Sequence, residues 1–313
     1  HLSWSGQRLA AVRSGARTPT QVVVYDTATW QRTVVAVGPQ HEWQIGDLVE
    51  PERVELPVAD GVLHARLYRT AAAGAAGVAS ERKLIVWLHG GPTDQWQVSF
   101  MPRLVFWLSR GWSILVPDHR GSTGHGRAYQ QALRGRWGEL DVADTPGVTS
   151  HARAQGWALP ERTVVFGSSA GGFTALGAVA IDPRRFAAAV LLYPVTDLTE
   201  LAERSHRFER HYTSTLVGAL PETLPLHRLR SPTFHADRFV HTPLLLMHGD
   251  DDVVVPVRQS AVFAHRVRAA GGDVQLHVYP GEGHGFRQVA NQLDEYRRAE
   301  EFLARYVPLA SRS

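Results

Sequence analysis

The stretch of sequence that most constrains the fold is residues 163–173, which read TVVFGSSAGGF. A run of apolar and β-branched residues, typical of a buried strand, gives way to a Gly-Ser cluster. Residues 170–180 then follow with the composition of a helix. The pattern predicts a strand, a sharp turn and a helix in immediate succession, as in folds where helices cover a sheet.

The turn itself fits a five-residue pattern, Gly-x-Ser-x-Gly, which places a serine at the tip of a tight strand-to-helix turn. The glycines at 167 and 171 are expected because side chains two positions either side of the serine would collide with the strand or helix. In this register Ser169 is the candidate nucleophile and Ser168 is not. A plain Gly/Ser loop is the alternative, and the flanking strand and helix favour the nucleophile elbow.

Two downstream loops could supply the groups that activate a serine, which needs a base and a carboxylate to orient that base. Residues 244–252 (LLLMHGDDD) place three aspartates directly after a predicted strand, and residues 278–286 (VYPGEGHGF) place His284 after the next one. The order serine, acid, histidine is that of α/β-hydrolases. The alternatives are a surface histidine and a solvated or cation-binding Asp loop, but no His-Glu-x-x-His or EF-hand spacing accompanies it.

The segment His89-Gly90-Gly91-Pro92 follows a near-continuous apolar run at residues 83–88 that predicts a strand covered on both faces. Its glycines would let backbone N–H groups approach a substrate oxygen that acquires charge, and the N–H of Ala170 would supply a second donor. A simple turn after a strand is the alternative.

Residues 1–50 have a different pattern, with β-rich runs at 8–13, 21–25 and 33–37 that predict three antiparallel strands. We interpret residues 1–50 as the last blade of a β-propeller and a linker, because one blade cannot bury its own faces. An N-terminal meander belonging to the main domain is the alternative. The start at His1 is neither an initiator methionine nor a signal peptide, so we expect a fragment or processed product of a longer chain.

The second predicted domain, residues 51–313, opens with a hairpin that turns at Asp60-Gly61. Strands and helices then alternate, which predicts a doubly wound, mostly parallel α/β sheet. Residues 71–80 are expected to form a surface loop, and residues 193–231 a helical insertion over the edge where ligand pockets form. The predicted strands are 112–117, the elbow strand that begins at Thr163, 187–192, 242–247 and 273–279. The predicted helices are 129–134, 142–155, 170–180 and 292–306.

Composition excludes several classes of function. The net charge of +3 comes from scattered residues without a basic run, so nucleic acid is not an expected partner. The chain has no cysteine, which excludes disulfides and thiolate catalysis and is consistent with a cytoplasmic location. The longest apolar region, residues 173–193, is interrupted by Asp182-Pro183-Arg184-Arg185, so no membrane span is predicted.

Together these motifs resemble the C-terminal catalytic part of the prolyl oligopeptidase family, nearest to its acylaminoacyl-peptidase-like branch. The resemblance covers nearly the whole sequence. Beyond the elbow it rests on residues 118–126 (DHRGSTGHG), 137–138 (WG), 231–232 (SP), 248–252 (HGDDD), 255–256 (VP), 259–260 (QS) and 279–286 (YPGEGHGF).

The resemblance implies roles for individual residues. The family's acid stands two residues beyond the His-Gly pair, which selects Asp252. A tyrosine that donates to the oxyanion in the family's dipeptidyl peptidases is replaced here by His89, so the resemblance implies donation from the Gly91 backbone. It also implies that Phe208, Tyr212 and Val255 line the substrate pocket, with an aromatic pair that only packs the insertion onto the sheet as the alternative.

The sequence thus predicts a serine peptidase that acts on peptides or acyl-peptides through an acyl-enzyme, with no cofactor and no metal. A carboxylesterase acting on small esters is the rival activity, and a non-catalytic hydrolase-fold binding domain is the rival from another class. The missing propeller blades, in the same precursor or in a separate chain, are expected partners. Assembly into homo-oligomers is left open by the sequence.

Overall fold

The computed structural model describes residues 2–39, 48–69, 82–204 and 212–307. These residues contain two sheets, one with four strands and one with eight. The larger sheet carries helices on both faces, whereas the smaller one is an antiparallel meander that precedes it.

The meander consists of β1 (Leu2–Ser5), β2 (Arg8–Gly15), β3 (Thr18–Asp26) and β4 (Arg32–Val37), paired antiparallel in that order. The prediction of three strands was wrong by one, because it left out β1. That strand has only four residues, all of them exposed, and it is formed by its pairing with β2 rather than by a pattern in its own sequence.

The eight-stranded sheet confirms the predicted doubly wound, mostly parallel architecture. Its order is β12-β11-β10-β9-β7-β8-β6-β5, and only the two pairings at the β5 edge are antiparallel. The predicted hairpin forms that edge. The strands are β5 (Glu52–Val58), β6 (Gly61–Tyr68), β7 (Lys83–Leu88), β8 (Trp112–Asp118), β9 (Thr163–Ser168), β10 (Ala189–Leu192), β11 (Leu244–Gly249) and β12 (Val274–Tyr279).

Nine α-helices lie among the described residues, and three of them, α5 to α7, belong to the predicted insertion. The helices are α1 (Pro102–Ser109), α2 (Arg127–Gln131), α3 (Leu140–Ala154), α4 (Ala170–Ile181), α5 (Leu198–Arg204), α6 (Tyr212–Val217), α7 (Leu224–Arg230), α8 (Arg258–Ala269) and α9 (Val289–Tyr306). None of those in the described ranges is long and apolar enough to cross a bilayer.

The central strand β7 shows how the sheet is buried on both faces. Leu84, Val86 and Leu88 point into one core with residues of α3, α4 and α8. Ile85 and Trp87 point into the other core, with residues of α1 and α9. Because successive side chains of a strand face opposite sides, an uninterrupted apolar run is what such a strand requires.

The meander contacts the main sheet through the second core. Ala16 is buried within it, and the Phe100 backbone N–H donates to the Ser14 hydroxyl at 2.9 Å. The segment after β7 is therefore tied to the meander as well as to its own sheet.

Two glycine substitutions test the close packing of α4 against β7. A Cβ on Gly171 would lie 2.4 Å from the Leu88 carbonyl oxygen, whereas on Gly147, within α3, the nearest atom is 4.0 Å away. We expect Gly171→Ala to lower the free energy of unfolding by about 1–3 kcal/mol. Gly147→Ala should leave it unchanged or raise it by about 0.5–1 kcal/mol, as alanine does in a helix. Urea unfolding followed by circular dichroism measures both, and equal effects would contradict the packing described.

Candidate active site

The turn between β9 and α4 has the strained backbone that the sequence predicts. Ser169 adopts φ 54° and ψ −123°, a region that residues other than glycine rarely occupy. A Cβ on Gly167 would lie 2.2 Å from the Gly171 carbonyl oxygen, so the steric reason for both glycines is confirmed. The serine side chain consequently projects from the tip of the turn.

Three side chains from separate loops meet at this tip. The Ser169 hydroxyl lies 2.9 Å from His284 Nε2, and His284 Nδ1 lies 2.7 Å from Asp252 Oδ2. Since the carboxylate can only accept, Nδ1 carries the proton and Nε2 accepts from the serine. The arrangement can take a proton from the Ser169 hydroxyl as the oxygen attacks an electrophile.

Asp252 is 6% exposed, and both oxygens of its carboxylate accept hydrogen bonds. Its Oδ1 accepts the N–H groups of Val254 and Val255, each at 2.9 Å. Burial alone would raise the pKa of Asp252, but hydrogen bonds from His248 and His284, together with the backbone, hold it well below its usual range. The carboxylate is therefore ionised at neutral pH and can stabilise a positive charge on His284.

The two aspartates before it face elsewhere. Asp250 is exposed and accepts the Gly281 N–H at 2.7 Å, and Asp251 is also exposed. Of the three aspartates in this loop, the structure therefore brings Asp252 to His284, at the position that the family resemblance selects.

His248 supports the acid, a role that no pattern in the sequence indicates. The His248 Nε2–H is shared between the Val255 carbonyl at 2.8 Å and Asp252 Oδ2 at 3.3 Å. The Nδ1 of His248 lies 2.8 Å from the Ser260 hydroxyl. Both residues belong to the motifs that carried the resemblance. Their presence in those motifs was the sequence signal for His248 and Ser260, but no local pattern indicated that the two side chains hydrogen-bond to each other.

Tyr193 was also missed. It follows β10 directly, has a φ of 38°, and packs its ring against that of His284 with centroids 4.6 Å apart. Phe286 meets the same tyrosine edge-on at 5.8 Å. Burial raises the pKa of Tyr193, so the phenol stays protonated. Its place at the end of a strand in the same sheet was the only sequence signal.

One predicted oxyanion donor, Ala170, directly follows Ser169, and the other, Gly91, follows Gly90, which borders Ser169. A Cβ on Gly90 would lie 3.5 Å from the Ser169 Cβ, and Gly91, which follows, is exposed with a φ of 123°. Ala170 is the first residue of α4, where backbone N–H groups have no partner within the helix and the positive end of the helix dipole lies. Both positions suit an oxygen that acquires negative charge.

Of the three predicted pocket residues, the structure describes Tyr212 and Val255. Tyr212 begins α6, and its hydroxyl accepts a hydrogen bond from the Thr93 N–H at 3.1 Å. Thr93 lies two residues after Gly91 in the chain. Val255 is 1% exposed and packs in a cluster that contains Ala170. Phe208 lies outside the described residues. Within the described ranges, no group of three or more acidic or histidine side chains could hold a metal ion.

Comparisons with known proteins found several similar chains. A protein-family sequence model, described as the prolyl oligopeptidase family, matches residues 97–309. Dipeptidyl peptidase family member 6 of Caenorhabditis elegans is 30% identical over 71% of this chain and 31% of its own length. The acylamino-acid-releasing enzyme of Arabidopsis thaliana is 28% identical over 72% of this chain and 30% of its own length.

A solved puromycin-hydrolyzing peptidase of Mycobacterium tuberculosis has a similar structure, with a TM-score of 0.93 and 30% identity over all of this chain. That match covers 48% of the solved chain. The present chain thus spans about a third of the length of the two curated relatives above and about half of the solved one.

Substituting the aspartates one at a time tests the register of the acid loop. Asp252→Asn should lower kcat by a factor on the order of 10⁴, because an amide no longer holds the productive imidazole tautomer. Asp250→Asn, in the same loop and also bonded to a backbone N–H, should stay close to the parent. Turnover of an acyl anilide by variants with matched melting temperatures measures both. A crippled Asp250→Asn beside an active Asp252→Asn would refute the register.

Proposed function

The chain belongs to the prolyl oligopeptidase family, and on that premise we propose that it is a serine peptidase that cleaves peptides or acyl-peptides through an acyl-enzyme. The observation that carries the proposal is the hydrogen-bonded series from the Ser169 hydroxyl through His284 to Asp252, at the tip of a strained turn. A domain that only binds would have no need to maintain that strain.

The proposed reaction begins when the Ser169 oxygen attacks the carbonyl carbon and its proton moves to His284 Nε2. The carbonyl oxygen becomes an oxyanion that accepts hydrogen bonds from the backbone N–H groups of Gly91 and Ala170. Asp252 holds the Nδ1–H tautomer and stabilises the imidazolium. His284 then protonates the leaving amine as the carbon–nitrogen bond breaks, which leaves an ester on Ser169.

Water completes the cycle by the same steps in reverse order. His284 takes a proton from the water as its oxygen attacks the ester, the two backbone N–H groups again bind the oxyanion, and the proton returns to Ser169. The cycle restores the enzyme and consumes one water for each bond cleaved. No cofactor takes part in these steps.

The names of similar proteins support an amide substrate over a small ester. One is an acylamino-acid-releasing enzyme and another a puromycin-hydrolyzing peptidase. Amide hydrolysis requires protonation of the leaving nitrogen, and His284 lies where it can supply that proton. We therefore place peptidase activity ahead of carboxylesterase activity, which uses the same groups.

Serine variants with a matched substrate panel test the activity. Ser169→Ala should reduce turnover by several orders of magnitude. Ser168→Ala should remain active, because Ser168 ends β9 and lies outside the tip of the turn. Peptidyl anilides, N-acyl-aminoacyl anilides and short-chain nitrophenyl esters should all be compared.

Hydrolysis of esters alone would favour the carboxylesterase, and no turnover of any substrate by the unmodified chain would refute catalysis. Equal losses in the two serine variants, with circular dichroism unchanged, would refute the choice of nucleophile.

We also propose that residues 1–50 contribute one blade to a β-propeller whose other blades come from the same precursor or from a separate chain. Large apolar side chains of the meander face solvent, including Leu2 at 76%, Trp4 at 67% and Val35 at 62% exposure. Exposed apolar surface of this kind is typical of an interface. The greater length of the similar proteins is in keeping with further blades.

The propeller proposal predicts a change in size selection. With only this meander, the 313-residue chain should cleave a long unfolded protein as well as a short anilide. Supplying the missing blades should raise the melting temperature and suppress cleavage of the long substrate, because a complete propeller would restrict access. The short anilide should be turned over at almost the same rate. A chain that already rejects unfolded protein would contradict the proposal.

A further inference from the structure

The side chain of His89 makes two short hydrogen bonds next to the candidate oxyanion hole. It follows β7 directly and is 1% exposed. Its Nδ1 lies 2.7 Å from the Gly90 carbonyl oxygen, and its Nε2 lies 2.7 Å from the Ser122 hydroxyl. The imidazole is therefore turned away from solvent and towards the backbone of the loop.

The protonation state of this ring follows from its surroundings. Burial, with a smaller contribution from the neighbouring His119, lowers the pKa of His89 to about 4, so the ring is neutral at pH 7. A neutral imidazole has a single N–H, and the Gly90 carbonyl can only accept. The proton is therefore on Nδ1, and the Ser122 hydroxyl donates to Nε2.

The bond to Gly90 bears directly on Gly91. The Gly90 carbonyl and the Gly91 N–H belong to one planar peptide unit, and they point in opposite directions because this bond is trans. A donor fixed on the carbonyl oxygen therefore also fixes the direction of the N–H. Without that donor, two adjacent glycines would leave the peptide plane free to rotate.

We propose that His89 is a positioning residue that orients the Gly90–Gly91 peptide so that the Gly91 N–H faces the oxyanion, and that Ser122, by its hydrogen bond to Nε2, holds the His89 ring in place. This inference rests on the proposed function. The imidazole does not touch the reacting atoms and acts through the backbone alone. A side chain at this position can thus serve the oxyanion hole without donating to the substrate itself.

The same network gives a purpose to part of the 118–126 motif, to which Ser122 belongs. Its Thr123 N–H donates to the Asp94 carbonyl at 3.0 Å, which ties the motif to the loop that contains Gly91. The His119 ring stacks on the His89 ring, with centroids 4.6 Å apart and planes 20° from parallel. The motif therefore covers His89 on one face and bonds it at Nε2.

Substitutions at His89 separate the donor from the packing. His89→Leu keeps an apolar side chain but removes the donor, whereas the amide N–H₂ in His89→Asn can occupy the place of Nδ1–H. Ser122→Ala removes the hydrogen bond that holds the ring at Nε2 but leaves the Nδ1–H donor. His227→Leu is the matched control, because His227 is also buried and bonds a backbone carbonyl, that of Thr223 at 3.0 Å, within the insertion.

In His89→Leu, we expect kcat for a peptidyl anilide to fall by roughly 10²–10³, as for loss of one oxyanion donor, with KM little changed. Affinity for a peptide aldehyde, which forms a tetrahedral adduct, should fall in parallel. His89→Asn should recover most of the activity, Ser122→Ala should lie between the two, and His227→Leu should match the unmodified chain.

Equal losses in His89→Leu and His89→Asn, at equal melting temperatures, would show a packing role and overturn the inference. An effect confined to KM would overturn it too. If His89→Leu does not fold, Ser122→Ala decides, because a parent-like kcat there would show that the oxyanion hole does not depend on how the His89 ring is held. An unmodified chain that hydrolyses no anilide contradicts the proposed function itself, and that result precedes any comparison of variants.

Discussion

The site depends on one unfavourable backbone conformation, the positive φ of Ser169. Such a residue costs about 1–3 kcal/mol and persists only where the surroundings fix it. Here the Ser169 N–H donates to the Leu192 carbonyl at 3.0 Å, and the Ser169 carbonyl accepts the N–H groups of Phe173 and Val195. Backbone from α4, from the end of β10 and from the loop after it therefore holds the turn in place, and the glycines on either side make that approach possible.

The parallel sheet converts this local feature into a site. Its parallel strands all direct their carboxyl ends to one edge, where ligand sites of such folds lie. The loops after β7, β9, β11 and β12 contribute Gly91, Ser169, Asp252 and His284 respectively. Residues separated by 115 positions thereby come within hydrogen-bonding distance.

The predictable parts of the molecule were those marked by a local residue pattern or by a characteristic order of residues along the chain. The spacing of Gly167 and Gly171 predicted the turn, the apolar run of β7 predicted a buried strand, and the order of the three polar residues predicted their meeting. Strand β1 was not predictable because its four exposed residues carry no burial pattern. The ring contact of Tyr193 with His284 was not predictable because it depends on a partner distant in sequence. The hydrogen bond between His89 and Ser122, 33 positions apart, is of the same kind.

The most direct test of the account is the location of a covalent adduct. A fluorophosphonate reacts with a serine only where a base and an oxyanion site act on it together. Intact-mass and peptide mass spectrometry of the labelled chain should show one adduct per molecule, on Ser169. An adduct on Ser168 or on another serine, or hydrolytic activity that persists without any adduct, would contradict the central role given to the strained turn.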